Sequence, residues 1–161
     1  VTATVAHAEL APRDAGFRWR GRHAATVVFC EGHRLRTNPR LADLPLRPIK
    51  GEALAGRAEA LPATPVNSGG ILVPLGEGRF RLGATYAPGE SDETPTAAGR
   101  DRLEDKRQAL LSPWGTTEVT AHWAGVRPAT KDHRPLAGRC PTDPRVAVFN
   151  GLVGNIVDIK L

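Results

Sequence analysis

Trp123-Ala124-Gly125-Val126-Arg127-Pro128-Ala129-Thr130-Lys131-Asp132-His133-Arg134-Pro135-Leu136-Ala137-Gly138 is the stretch on which the reading of this chain turns. Residues 117–124 (TEVTAHWA) read as a strand leading into it. Arg127 then stands at a strand end, close to a glycine and next to a proline that both restrict the backbone. An arginine held in this way is a fixed fork of N–H donors, matched to two-point capture of a carboxylate. The alternative is a side chain facing water, as for most arginines after strands, and spacing alone leaves both open.

Working outward, residues 97–111 form the one convincing helix. Leu103, Leu110 and Leu111 recur at helical spacing, Thr96 can cap the start and Pro113 closes the end. A polar loop precedes it over 88–95. Before that loop, residues 71–75 (ILVPL) and 79–85 (RFRLGAT) flank Gly76-Glu77-Gly78, whose glycines can take positive φ, and this predicts a hairpin. No helix follows the GxG, so it reads as a turn and not as a phosphate loop. Residues 52–60 read as a further strand. The connection 33–50 carries Pro39, Pro45 and Pro48 and is expected to be extended and non-helical.

The first thirty residues read as three strands, 1–10, 16–20 and 25–30. The last, ATVVFC, is a continuous apolar run expected to be buried on both faces in a parallel sheet. Residues 146–149 (VAVF) read as a final short strand ending at Asn150-Gly151.

Composition bounds the rest. The chain has 161 residues, 40% hydrophobic and 24% charged, enough for a domain with its own core. There is no run of eighteen apolar residues and no charged-then-apolar leader, so the expectation is a cytoplasmic protein with no membrane partner. Cys30 and Cys140 show no CxxC spacing and are expected to be small core residues. The histidines, at positions 7, 23, 33, 122 and 133, never form HxxxH or HxH, which argues against a zinc enzyme. No GxSxG elbow or Walker loop occurs, and the adjacent carboxylates read as solvated surface. No catalytic side chain and no metal ligand is therefore assigned. The net charge of +5 raises nucleic acid as a partner. Scattered arginines and a single tyrosine, without interleaved stacking aromatics, argue against it. Methionine is absent even at position 1, so the numbering is expected to start inside a longer chain.

The segment WAGVRPATKDHRPLAG resembles the W-x-G-x-R-P-x-T-x-D-x-x-P-x-x-G pattern of the DAO family of FAD-dependent oxidoreductases, the glycine oxidase and D-amino-acid oxidase type. LPLRPIKGE (44–52) is similar to the family's crossing into its substrate domain, and ILVPLGEGRFRLGATY (71–86) to its V-P hairpin ending in G-A-T. VVFCEG resembles a strand of the flavin domain, and DPRVAVFNGL the strand that returns to it. All five match in order and spacing over about residues 24–152.

The resemblance implies an α+β fold: an antiparallel substrate-binding sheet of the D-amino-acid oxidase type, remnants of the FAD-binding sheet and one main helix. It implies a division into flavin-domain strands at 1–43, the substrate-binding sheet at 44–140, and a return strand with a non-family tail at 141–161. The implied activity is oxidation of an amine or amino acid by hydride transfer to FAD. Arg127, Ile71 and Tyr86 are the implied substrate-binding residues, and Gly32, Gly51, Asn150 and Gly151 the cofactor-binding ones. Three departures stand. The GxGxxG strand start that grips FAD pyrophosphate is missing, Ile71 stands where glycine oxidases carry a tyrosine, and 153–161 (VGNIVDIKL) leaves the family pattern. The chain is therefore expected to be a truncated piece, inactive and without bound FAD by itself, and to self-associate as a homo-oligomer through segment exchange. The alternatives are a catalytically silent, self-associating module, or the oxidase part of a tRNA-modifying enzyme.

Overall fold

The computed structural model describes residues 5–152. In chain order its elements are β1 (Ala11–Arg13), β2 (Gly16–Trp19), β3 (Arg22–Ala24), β4 (Val27–Phe29), β5 (Leu46–Ala58), β6 (Val66–Asn67), β7 (Ile71–Gly76), β8 (Arg79–Gly83), β9 (Ala87–Pro88), α1 (Ala97–Leu111), β10 (Thr117–Thr130), β11 (Leu136–Arg139) and β12 (Val146–Asn150). The fold is α+β, mostly sheet with one main helix. The chain divides into two compact units, one made of residues up to 47 and from 128 onward, the other of residues 48–127.

In the second unit a sheet with strand order β10-β5-β8-β7-β6 carries α1 on one face. Leu54, Leu82 and Leu72 stand side by side across β5, β8 and β7, and with Phe80 they meet Leu103 and Leu111 of α1 in a core where each is almost fully buried. Gly99, Leu103 and Leu111 lie four and eight positions apart, so one helix face turns into this core. Thr96 caps the helix, its hydroxyl accepting from Gly99 N–H at 2.9 Å. The β7–β8 hairpin turns through Gly76, Glu77 and Gly78, all at positive φ. Gly78 also admits β5: a Cβ there would lie 2.7 Å from the Ala58 carbonyl oxygen, to whose residue Gly78 is already hydrogen-bonded. The helix and the hairpin form where the sequence predicts them.

The first unit contains the meander β1-β2-β3 and a second sheet in the order β11-β12-β4, in which β4 and β12 are parallel. Its core gathers Leu10, Phe17, Phe29, Leu35, Leu41, Leu46 and Val146.

Five expectations are corrected. Residues 1–10 do not form a described strand: His7–Glu9 is a 3-10 helix, and residues 1–4 lie outside the described ones. The Glu9 carboxylate there accepts from the Trp19 indole at 2.7 Å and from Arg20 at 3.2 Å, contacts a periodicity reading does not contain. The connection 33–50 is not wholly extended, because Gly32–Thr37 is also a 3-10 helix, seating Leu35 in the core. Its prolines all follow the helix, and Asn38, just before Pro39, is extended as expected. The run 25–30 is not buried on both faces: β4 has three residues and Val28 is 55% exposed, while Phe29 is buried in the core and Val27 packs against it half-buried. The parallel pairing itself is present. The strand from Thr117 continues to Thr130, so Arg127 and Pro128 lie within it. Proline is accommodated because β10 is an end strand of its sheet. Cys30 is exposed and Cys140 half-buried, so Cys30 is not a core residue. Residues 153–161, expected to leave the family pattern, lie outside the described residues.

Candidate functional site

The face of the second unit's sheet opposite α1 holds the candidate site. Phe80, Leu82, Leu54 and Leu72 point to the helix, so the alternating residues, Arg79, Arg81 and Gly83 on β8, Ala53 and Ala55 on β5, and Ile71 and Val73 on β7, line the other face. Trp123 joins this face, with the Arg81 guanidinium 5.7 Å from its ring centre. Two residues on, a Cβ at Gly125 would meet no atom within 4 Å.

Arg127 is laid flat over β5. A Cβ at Gly51 would come within 2.4 Å of its Nη1, 2.5 Å of Nη2 and 2.7 Å of Cζ, so the guanidinium fits only because position 51 has no side chain. Nη1 donates to the Thr85 carbonyl at 3.5 Å. The side chain is half-buried, and no described carboxylate pairs with it. Ile71 is 51% exposed opposite Gly83, and Tyr86, 62% exposed, directly follows Thr85. Gly51 and Arg127 are thus brought together, with Ile71 on the same face.

In the other unit Asn150, Gly151 and Gly32 come together. Asn150 Nδ2 donates to the Gly32 carbonyl at 2.8 Å, and its Oδ1 accepts from Gly151 N–H at 2.8 Å. Gly32 and Gly151 both have positive φ. A Cβ at Gly32 would meet nothing within 4 Å, while one at Gly151 would lie 2.9 Å from Thr130 Cγ2.

Residues flanking Gly51 went unnoticed in the sequence reading. Lys50, 2% exposed, places Nζ 2.7 Å from Asp92 and 3.5 Å from Glu90. Its hydrogen bond to Asp92 raises the Lys50 pKa and lowers that of Asp92. Glu52, 4% exposed, accepts from Thr96 N–H at 2.9 Å and from Thr96 Oγ1–H at 2.7 Å, and His122 Nε2 lies 2.8 Å from its Oε2. Burial pushes the Glu52 carboxyl up, but these partners outweigh it and hold the pKa below the ordinary glutamate value. The detectable signal was two charged residues, Lys50 and Glu52, in step with the inward Leu54 of β5.

Among the described residues no group of three His, Cys, Asp or Glu could hold a metal ion, and no helix is long and apolar enough to cross a membrane.

A family model described as FAD dependent oxidoreductase (DAO) matches residues 2–157, and the chain belongs to that family. It is 37% identical over 106 residues to the glycine oxidase of Bacillus subtilis (strain 168), covering 65% of this chain and 29% of that protein. It is 33% identical over 129 residues to the tRNA 5-methylaminomethyl-2-thiouridine biosynthesis bifunctional protein MnmC of Chromohalobacter salexigens, covering 71% of this chain and 18% of that protein. Among solved structures, glycine oxidase from Geobacillus kaustophilus superposes with a TM-score of 0.73 at 30% identity, over 81% of this chain and 36% of that one. The chain therefore spans about a third or less of the length of these relatives.

Ala53, Ala55, Gly83 and Gly125 give the open face a floor of small residues with space above Gly125, bordered by Ile71, Trp123, Arg79, Arg81 and the half-buried Arg127 on Gly51. A flat ring such as the flavin of FAD fits such a floor, and Arg127 beside it keeps N–H donors that its one carbonyl contact does not use.

Proposed function

We propose that this chain is the substrate-binding part of an FAD-dependent oxidoreductase that oxidises a small amino acid or amine bearing a carboxylate. The observation that carries this reading is Arg127, a half-buried guanidinium laid on Gly51 and tethered to one backbone carbonyl, with donors left over for an anion. Similarity to glycine oxidases supports the same reaction class.

When bound, FAD supplies the hydride acceptor for the carbon that carries the amine. The chain's own residues bind and orient. Arg127 takes the carboxylate through two N–H groups, which fixes both the position and the rotation of a small substrate. Ile71 and Tyr86 border the site and shape the space left for the substrate's side chain, and Ile71 brings no hydroxyl there. Gly32, Asn150 and Gly151, with two positive φ values in one hydrogen-bonded corner, are proposed to approach the cofactor. Gly51, expected beside the cofactor, is proposed to act on the substrate side, through the place it makes for Arg127.

A second reading has its own observation. Val28 on β4 is 55% exposed and Phe149 on the neighbouring β12 is 48% exposed, a surface suited to self-association.

The test of the first reading compares glycine with methylamine on the flavin-loaded enzyme that carries this chain, without oxygen. Bleaching of the flavin absorbance by glycine and not by methylamine is expected. Equal bleaching by both would remove the carboxylate from the account.

A further inference from the structure

The ladder between β5 and its neighbours contains an irregularity directly beside Arg127. Ala53 pairs with Gly83, and Lys50 pairs with Ala87. Between these pairs, Gly51 and Glu52 on β5 face Ala84, Thr85 and Tyr86, one residue more than the register needs, which is the definition of a bulge. In a regular antiparallel pair a backbone carbonyl would accept from Glu52 N–H. Here the acceptor is the Thr85 hydroxyl, at 2.8 Å, while Thr85 N–H donates to the Glu52 carbonyl at 3.1 Å. Thr85 is 8% exposed, so water does not readily substitute.

The Thr85 carbonyl is thereby released from the ladder and accepts from Arg127 Nη1 at 3.5 Å, while the carbonyl of the extra residue, Ala84, accepts from Lys106 Nζ of α1 at 3.0 Å. We infer that Thr85 is a positioning residue for Arg127: its side chain takes over the ladder acceptor, leaving its own carbonyl to hold the guanidinium flat on Gly51. The inference rests on the reading of Arg127 as the carboxylate anchor and adds what sets that anchor's orientation.

The chemistry required is narrow. A hydroxyl on Cβ can accept from Glu52 N–H, so serine should suffice. Valine has the shape of threonine without an acceptor, and alanine lacks both. Either leaves a buried N–H to be satisfied by rotating a carbonyl back into the ladder, away from Arg127.

The experiment is nitrogen-15 NMR of the full chain, observing the Arg127 Nε–H signal and the Glu52 amide, with sodium acetate as a carboxylate probe. Wild type and Thr85→Ser should show a sharp Arg127 Nε–H signal that acetate shifts. Thr85→Val and Thr85→Ala should speed its exchange with water, and that of the Glu52 amide, by about tenfold, the scale of one lost hydrogen bond. If the valine variant does not fold, the alanine and serine pair decides. An Arg127 signal in Thr85→Ala that matches wild type overturns the inference. If acetate leaves the wild-type signal unmoved while Thr85→Ala still mobilises it, the positioning role stands and the carboxylate reading fails.

Discussion

Arg127 lies on Gly51 so closely that a single added carbon at position 51 would come within 2.4 Å of Nη1. The two residues therefore form one feature: the glycine is the seat and the arginine the occupant. Gly51→Ala is expected to push the guanidinium off the sheet face, since the side chain can swing away more easily than β5 can move. In the flavin-loaded enzyme the Michaelis constant for a carboxylate substrate should rise about tenfold or more. Folding stability, measured by urea titration, should change little by comparison. A variant with unaltered substrate affinity would show that the seat has no part in binding.

Glu52 predicts a pH dependence. Its folded-state pKa lies below the ordinary value, so its contribution to stability is fully present above the unfolded-state pKa. That contribution is lost as the pH falls through the depressed folded-state value. Glu52→Gln should therefore flatten the acid limb of the stability curve measured by urea titration between neutral pH and about pH 3. An unchanged acid limb in the variant would show that other carboxylates control it.

Flavin binding by the chain alone is expected to be weak or undetectable, because no GxGxxG loop occurs among its 161 residues to grip the pyrophosphate. Gel filtration after incubation with FAD is the check. Co-elution of a stoichiometric flavin spectrum with the protein would contradict the expectation.

Self-association is expected of the β11-β12-β4 sheet. Among the described residues β4 is its end strand, with Val28 and Phe149 exposed on one face. Open backbone groups beside apolar side chains favour pairing with a second copy, by simple docking or by exchange of the N-terminal strands. Light scattering at micromolar concentration should report a dimer or larger closed assembly. A uniform mass of 17.2 kDa would contradict it.

What the sequence made legible depended on whether the determinants were local. α1 was readable to its ends because Thr96, Pro113 and the leucine spacing all act within a few residues, and the hairpin because Gly76 and Gly78 announce its turn. The Gly32–Thr37 helix was not readable, since it exists to seat Leu35 in a core drawn from distant segments. The extension of β10 through Pro128 depends on β10 being an end strand, a fact of sheet order. At the site, Arg127 stood out through its neighbours in the chain. The partners that position it, Gly51 and Thr85, lie far from it in sequence, and the role of Thr85 depends on a one-residue mismatch in register between β5 and its neighbours.

The central claim is that Arg127 holds the substrate carboxylate. It is tested most directly by steady-state kinetics of Arg127→Ala in the flavin-loaded enzyme that carries this chain. Loss of a paired, charge-assisted contact of about 3 kcal/mol should raise the Michaelis constant for the amino acid about a hundredfold. A rise below about threefold would contradict the claim and place the carboxylate elsewhere.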